Sequence, residues 1–283
     1  MMEGPYMSHN LVIVPKTKIA ERLATIVVAA CVAALLYSIF KNPRFEWQIV
    51  FADFTAPALL KGLLITLELT FFAVFFGFPL GTVLAAMRQA DSRLLQSVSW
   101  FYVWVFRSVP MLVQLFFWFN IAALYPRLVL ALPGLGELYS FPTNHVLTGF
   151  SAAVLALVLH DAAYTSEIIR TGLRSIPTGQ RDAARALGFT NSGVMYSIVF
   201  PQAFRVILPA AGNQIISTLK ATSVVSVIAL QDVLYSAQEI YERTYDVIPL
   251  LIVASLWYLV VTSLLSIGQY WVEGRLSRKD QPL

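Results

Sequence analysis

The chain is too apolar and too sparsely charged to be a water-soluble protein of 283 residues. Hydrophobic residues make up 58% of it and charged residues 13%, whereas soluble domains carry about 25% charged residues. The net charge of +4 comes from 20 basic and 16 acidic residues without a long basic run, which argues against nucleic acid as a partner. The single cysteine, Cys31, excludes an internal disulfide and a cysteine-based metal site.

Six apolar stretches are long enough to cross a bilayer, for which a helix needs about 20 mainly apolar residues. In chain order they are residues 23–40, 59–87, 94–124, 146–169, 206–230 and 247–271. The second and third exceed the length of one crossing, so tilt, re-entry or a break is expected in them. In the third, Pro110 lacks a backbone donor and restrains Val109, which predicts a break there. The sequence therefore predicts an all-α bundle of about six transmembrane helices.

The distribution of basic residues predicts that both termini lie in the cytoplasm. Lysines and arginines concentrate before the first stretch, between the second and third, between the fourth and fifth, and after the sixth. The small residues of the first stretch also permit a second interpretation, a cleaved secretory signal. Cleavage would leave the sidedness of the other five stretches unchanged.

The longest predicted cytoplasmic segment, residues 170–205, has the features of two short helices. Thr178 is a suitable N-terminal cap for the first, and Gly188 suits the left-handed residue that ends a helix after about two turns. The second is expected to begin near Asn191 and to end at Pro201. Such helices are too short to be stable alone in water, so they must pack on the bundle, on a partner or on the lipid surface.

The same segment resembles the "EAA…G…LP" signature of permease subunits of bacterial ABC importers. Four other segments, residues 107–117, 163–170, 175–180 and 220–223, resemble the polar amino-acid branch of that family. The resemblance extends roughly over residues 57–269. The residues that match in and after the segment are Gly179, Gln180, Asp182, Ala183, Ala184, Gly188, Pro201 and Pro209.

The resemblance implies the partners and the mechanism. In this family the segment is a coupling helix that docks on a cytoplasmic ATP-binding subunit, which holds the ATP and magnesium and hydrolyses the nucleotide. A periplasmic amino-acid-binding protein delivers the solute, and a second permease, identical or homologous, completes the path in the bacterial inner membrane. Transport follows alternating access. Asp182 stands where the family usually has glutamate, which shortens the side chain and keeps its charge.

Three regions follow from the spans and the resemblance. Residues 1–55 form an N-terminal segment with the first transmembrane helix, an addition to the minimal five-span member of the family. Residues 56–275 form the importer's transmembrane domain, with the coupling loop at 177–201, and residues 276–283 form a cytoplasmic tail.

Polar residues within the apolar stretches are the candidates for a translocation path. A charge at the bilayer centre costs about 2.5–3.5 kcal/mol on insertion scales, so it usually faces the bundle interior or water. A helix places Asn213, Ser217 and Lys220 on one face, where they can meet the carboxylate of a zwitterion. In the alternative interpretation, Lys220 pairs with Asp161 or Glu68 and holds helices together. The candidate path residues are Glu68, Arg107, Gln114, Asn213, Ser217, Lys220, Thr222 and Ser223.

Two further pairs have alternative interpretations. Arg107 and Gln114 share a helix face only if the helix continues through the predicted break. Glu167 and Arg170 lie one turn apart, so they either pair locally or reach the coupling segment.

No enzyme signature is present in the sequence. It contains no phosphate-binding P-loop and no His-Glu-x-x-His metal motif, so this chain is expected to bind no cofactor or metal. One rival function is a proton-coupled secondary transporter with His160, Asp161 and Glu68 as its relay. Another is a membrane-embedded enzyme acting on lipid.

Overall fold

The structure, a computed structural model, describes residues 19–132 and 136–277. The chain divides into two units, Met1–Trp47 and Gln48–Leu283. In the first unit, helix α1 (Ile19–Lys41) has no buried residue among its 23. A short 3-10 helix, Pro43–Phe45, follows it, and the side chain of Asn42 caps this helix by accepting from the backbone N–H of Arg44.

The remaining elements include two helices of 31 residues each, Pro57–Met87 and Val247–Ser277. In chain order the elements are α2 (Trp47–Asp53), α3 (Pro57–Met87), α4 (Arg93–Ser108), α5 (Met111–Phe119), a 3-10 helix (Ile121–Ala123), β1 (Arg127–Leu132), β2 (Gly136–Pro142), α6 (Thr143–Val146), α7 (Gly149–Arg174), α8 (Thr178–Ala186), α9 (Asn191–Gly193), a π-helix (Val194–Val199), α10 (Phe200–Ala221), a 3-10 helix (Thr222–Ile228), α11 (Val233–Thr244) and α12 (Val247–Ser277).

The helical segments confirm the predicted number of spans. Five continuous helical segments among the described residues are long and apolar enough to cross a membrane: α1, α3, α7, the run Asn191–Ile228, and α12. Helices α4 and α5 meet the same criterion only when taken together, and their axes differ by 102°, so the pair is either a broken sixth span or a re-entrant loop. The bend falls at Val109 and Pro110, where the sequence predicts it. By contrast α3 runs unbroken for 31 residues with Pro79 inside it.

Helices α3 and α7 pack closely because small residues line both of them. Five alanines of α7 are fully buried or nearly so: Ala152, Ala153, Ala156, Ala162 and Ala163. A Cβ at Gly77 of α3 would lie 2.7 Å from a carboxylate oxygen of Asp161, and a Cβ at Gly81 would lie 2.7 Å from the carbonyl of Ala162. Since dispersion and close packing drive helix association in lipid, this contact is the centre of the bundle.

The described residues confirm the predicted all-α bundle, and a β-hairpin is a local addition that the sequence analysis did not predict. Strands β1 and β2 pair antiparallel, with Leu128 opposite Phe141 and Val129 opposite Ser140. The register shifts between Leu130 and Ala131.

The coupling segment differs from its prediction at both ends. Thr178 is the first residue of α8 and makes no capping hydrogen bond, since the cap position belongs to Pro177. Gly188 does adopt the left-handed conformation, with φ of +86°. Pro201 does not end a helix, because the π-helix leads directly into α10. It is the second residue of α10, two positions after the π-helix, and lies inside the continuous helical run Asn191–Ile228.

Candidate functional site

A polar cavity of about 230 Å³ lies between α7 and α10. It opens beside the exposed face of α10 that carries Asn213, Ser217 and Lys220, all three of which are exposed. The predicted polar face therefore exists. The cavity is lined by Leu157, His160, Tyr164, Gln214, Ser217, Thr218 and Ala221.

Asp161 lies behind this cavity and ties α7 to α10. One of its carboxylate oxygens accepts hydrogen bonds from the hydroxyl of Thr218 at 2.6 Å and from the amide of Gln214 at 2.9 Å. The side chain is 1% exposed. Among the described residues no ion pair joins Asp161 to Lys220, so the interpretation that pairs them is wrong. The carboxylate is instead held by neutral donors, which leaves the ammonium of Lys220 available on the exposed face.

The polar face includes fewer residues at its C-terminal end than the sequence predicts. Thr222 is fully buried, and its hydroxyl donates to the carbonyl of Leu219 at 2.7 Å. The α-helix ends at Ala221 and a 3-10 helix follows, so the register of the face changes there. Ser223 donates to the carbonyl of Lys220 at 2.8 Å.

Gln114 closes the break between α4 and α5. Its amide nitrogen donates to the carbonyls of Phe106 at 3.0 Å and Val109 at 2.8 Å, and it lies 3.3 Å from Nδ1 of His160. The bend of 102° removes the continuous face that Gln114 was predicted to share with Arg107. A buried amide that satisfies carbonyls freed by a helix break has a structural role.

The other membrane-depth charges have separate surroundings. Glu68 is exposed on α3, and within the described residues it forms no ion pair. Glu167 accepts from both Nε and Nη2 of Arg170, so this pair is local, the first of the two interpretations. The ring of His160 packs on Tyr164 at 4.8 Å between centroids. His160 and Asp161 thus bind different partners, and the relay of the rival secondary transporter is not connected.

The coupling segment presents one face outward and anchors the other. Gly179, Gln180, Asp182, Ala183 and Gly188 are exposed, as a docking surface requires. Large apolar side chains are exposed beside them, with Leu187 at 79%, Tyr196 at 74% and Phe189 at 43%. Apolar exposure of this extent at a soluble edge marks an interaction surface.

The anchored face contains a residue that the sequence analysis missed. Arg181 donates from Nη2 to the carbonyl of Leu173 at 2.5 Å and so fixes α8 to the end of α7. Ala184 is buried in a cluster that also contains Leu173, Ile176 and Val199. Pro209 lies inside α10, where its carbonyl accepts from Gln269 of α12 at 3.1 Å.

Asp232 is a second residue that the sequence analysis did not single out. It is fully buried at the start of α11. Its carboxylate accepts from the backbone N–H of Tyr235 at 2.8 Å and from the hydroxyl of Tyr258 at 3.1 Å. Burial raises the pKa of this carboxyl to about 6.

Comparison with known proteins agrees with this geometry. The family described as "Binding-protein-dependent transport system inner membrane component" matches residues 77–278. The chain belongs to this family and is a permease subunit of an ABC importer. The family lies in the inner membrane, and the relatives found are permeases for amino-acid transport.

Two relatives illustrate the likeness. The arginine transport system permease protein ArgU of Corynebacterium glutamicum is 36% identical over 252 residues, which are 89% of this chain and 78% of the relative. The nopaline transport system permease protein NocM of Agrobacterium fabrum is 37% identical over 229 residues, 80% of this chain and 91% of the relative.

Solved structures share the fold. An amino acid ABC transporter crystallised with histidines has a TM-score of 0.66 and 35% identity, covering 77% of this chain and 94% of that one. The inward-facing MetNI methionine ABC transporter has a TM-score of 0.56 and 21% identity over 77% of this chain and 95% of that one. The second likeness concerns the fold alone.

Proposed function

We propose that this permease moves polar amino acids inward by alternating access, after a periplasmic solute-binding protein delivers them and while a separate cytoplasmic subunit hydrolyses ATP. The observation that carries the proposal is the single helical run Asn191–Ile228, which contains both the second half of the coupling segment and the polar face of α10. A displacement of the coupling segment is thereby passed to the residues that line the path.

The coupling role rests on the exposed surface of α8 and its junction. Asp182 and Arg185 face water 3.6 Å apart, with Leu187 and Phe189 exposed beside them. A groove on an ATP-binding subunit would cover these apolar side chains. Arg181 fixes the opposite face to α7, so the segment transmits force to two spans rather than pivoting freely.

The substrate class rests on the polar face and the cavity beside it. Lys220 is a fixed positive charge that suits a carboxylate, and the hydroxyl and amide groups of Ser217 and Asn213 suit polar substituents. The relatives are named for arginine and nopaline among others. Polar amino acids as a class fit both observations.

The proposed assembly places both termini in the cytoplasm, as the basic residues predict. Two permeases, identical or homologous, enclose the path, and two ATP-binding subunits dock on their coupling segments. Glu68 lies in mid-span and its side chain is exposed. A carboxylate that faces lipid is costly, and a second permease would cover it or enclose it in the path.

The test of this coupling is a pair of substitutions at Gly188. A non-glycine residue in the left-handed conformation costs about 1–2 kcal/mol, whereas asparagine visits it more readily. Within this chain a Cβ at this position would meet no atom within 4 Å, so inside the permease only the backbone conformation opposes the substitution. The asparagine variant controls for a side chain placed against the ATP-binding subunit. We expect Gly188→Val to lower ATP-driven uptake by about tenfold or more and Gly188→Asn to retain most of it.

Uptake is measured in proteoliposomes that contain the permease and the co-purified ATP-binding subunit, with the solute-binding protein supplied on the opposite side. Asp182→Lys tests the exposed surface in the same assay. Unaltered uptake in Gly188→Val and Asp182→Lys, with normal association of the ATP-binding subunit, would remove the coupling role from this segment.

A further inference from the structure

A second polar cavity, of about 420 Å³, lies between α3, α4 and α7. It shares Tyr164 with the cavity between α7 and α10 but has no lining residue on α10. Its volume falls within the about 300–1,000 Å³ typical of small-molecule sites. The lining residues are Arg88, Trp100, Val103, Trp104, Arg107, Ser108, Tyr164 and Glu167.

The cavity carries an excess of positive charge. Arg88 and Arg107 contribute two guanidinium groups, and neither forms an ion pair with a carboxylate among the described residues. The one acid of the lining, Glu167, is paired with Arg170 and also interacts electrostatically with Arg107 and Arg88. Two arginines against one carboxylate leave the lining with a net positive charge for a ligand.

The chemistry of the lining selects an oxyanion. Guanidinium and indole groups only donate hydrogen bonds, and Ser108 and Tyr164 add hydroxyls. Arg107 lies over the ring of Tyr164 at 5.3 Å from its centroid, which orients its planar fork. Two guanidinium groups at one cavity match the several acceptor oxygens of a phosphate.

The position of the cavity indicates where the phosphate comes from. Trp100 and Trp104 stack in parallel at 5.9 Å, and each is about half exposed. On α4 only Ser99 and Val103 are buried, and large apolar residues such as Phe101 are exposed, as on a helix that faces lipid. Tryptophan concentrates at membrane interfaces, and Arg88 is the residue that ends α3.

We propose that this cavity binds the phosphate of an anionic phospholipid headgroup between Arg88 and Arg107, with the two tryptophans against its glycerol and upper acyl carbons. The proposal uses the proposed orientation, in which the turn between α3 and α4 faces the anionic cytoplasmic leaflet. The bound lipid would brace the junction of α3, α4 and α7 next to the bend at Val109.

The experiment uses the full chain purified with its ATP-binding subunit and exposed to equal amounts of phosphatidylglycerol and phosphatidylcholine. Native mass spectrometry counts the lipids that each variant retains. We expect the wild type to retain phosphatidylglycerol in preference to phosphatidylcholine. In Arg88→Gln/Arg107→Gln this preference should fall about tenfold, which is the effect of losing a charge-assisted hydrogen bond. Arg93→Gln is the matched control, because Arg93 is an exposed arginine at the start of α4 outside the cavity, and it should retain the preference.

Three results would overturn the proposal. The first is equal phosphatidylglycerol retention in the double variant and the wild type. The second is displacement of the lipid by excess inorganic phosphate, which identifies a free-anion site. The third is loss of the second permease copy from the double variant, which identifies a subunit interface.

If the glutamine variant does not fold, tryptophan fluorescence of the wild type still tests whether the cavity binds an anionic lipid. Brominated phosphatidylglycerol should quench tryptophan fluorescence more than brominated phosphatidylcholine, and Trp100→Phe/Trp104→Phe should remove that difference. Equal quenching by the two lipids contradicts the proposal. If the protein prefers phosphatidylglycerol but shows no ATP-driven uptake, the proposed function is refuted and the lipid site stands. If it shows ATP-driven uptake but no lipid preference, the lipid site is refuted and the proposed function stands.

Discussion

Asp161 accepts hydrogen bonds from Gln214 and Thr218, not from Lys220. The Asp161 carboxylate and the Lys220 ammonium therefore have separate roles. The buried carboxylate joins α7 to α10 through neutral donors. Lys220 remains on the exposed face of α10 with Ser217 and Asn213. A cation without an internal partner in a membrane protein usually serves a path or a ligand. The sequence identified Lys220, but it could not reveal that Asp161 was already satisfied, because the donors lie 53 and 57 residues away.

A substitution of Lys220 tests its proposed role toward a carboxylate. Lys220→Met should reduce ATP-driven uptake of the transported amino acid by about tenfold or more, because a charge-assisted hydrogen bond contributes about 1.5–3 kcal/mol. Lys220→Arg should retain more activity, since it keeps the charge. Uptake rates and co-purification of the ATP-binding subunit are measured together. Wild-type uptake in Lys220→Met would show that this lysine does not meet substrate.

Asp232 predicts how stability depends on pH. Burial raises its pKa to about 6 in the folded protein, above the ordinary value, so the folded state binds the proton more tightly. The stabilisation is fully present below the ordinary pKa and is lost as the pH rises through about 6. Thermal unfolding in detergent should therefore show a contribution of about 1 kcal/mol that appears between pH 7.5 and pH 5.

Asp232→Asn is the control for this effect. Asparagine also caps helices, so the start of α11 should survive while the dependence on pH between 5 and 7.5 disappears. The same slope in Asp232→Asn and in the wild type would assign the titration to another group.

At the scale of helices, the sequence predicted the spans well and their junctions poorly. Length and apolar content are enough to predict a span. Pro110 is a local cause of the bend between α4 and α5, so the sequence predicts that bend too. Pro201 carries the same local signal, yet the helix continues through it after a π-helical turn. Tertiary packing of Val194 and Val199 on Leu173 favours continuity, and that packing is not visible in a local pattern.

The β-hairpin was missed for a different reason. Its strands lie beside the apolar stretch that was assigned to one span, and the prediction extended that stretch to residue 124. Pro133-Gly134 is a turn signal in the sequence. Val129 before this turn, and Tyr139 and Phe141 after it, are residue types that favour strands, so the sequence did contain evidence for a hairpin.

The contact between α3 and α7 makes a prediction that contrasts two glycines. In Gly77→Ala the added Cβ would lie 2.7 Å from Asp161, and we expect a loss of about 1–3 kcal/mol through overpacking. In Gly268→Ala of α12 nothing lies within 4 Å, and alanine favours a helix by about 1 kcal/mol. Thermal unfolding in detergent compares the two variants. A Gly77→Ala protein as stable as Gly268→Ala would show that the two helices pack less closely.

At the scale of the whole molecule, the described residues from 48 onward form a helix bundle in which the second half of the coupling segment and the polar face of α10 share one helical run. Family membership, which rests on residues 77–278, establishes the class of protein. The roles of the single coupling and path residues remain predictions, as does the division at residues 1–55, 56–275 and 276–283. Apolar content alone predicted the membrane location, whereas the functional class was indicated by the short coupling segment at residues 177–201.

The most direct test of this account is amino-acid uptake into proteoliposomes that hold the permease with its ATP-binding subunit and its solute-binding protein. The account predicts uptake that requires ATP on the side of the ATP-binding subunit and the solute-binding protein on the other side. A pH gradient without ATP should drive none. Uptake driven by a pH gradient alone, in the absence of the ATP-binding subunit, would contradict the account and restore the proton-coupled rival.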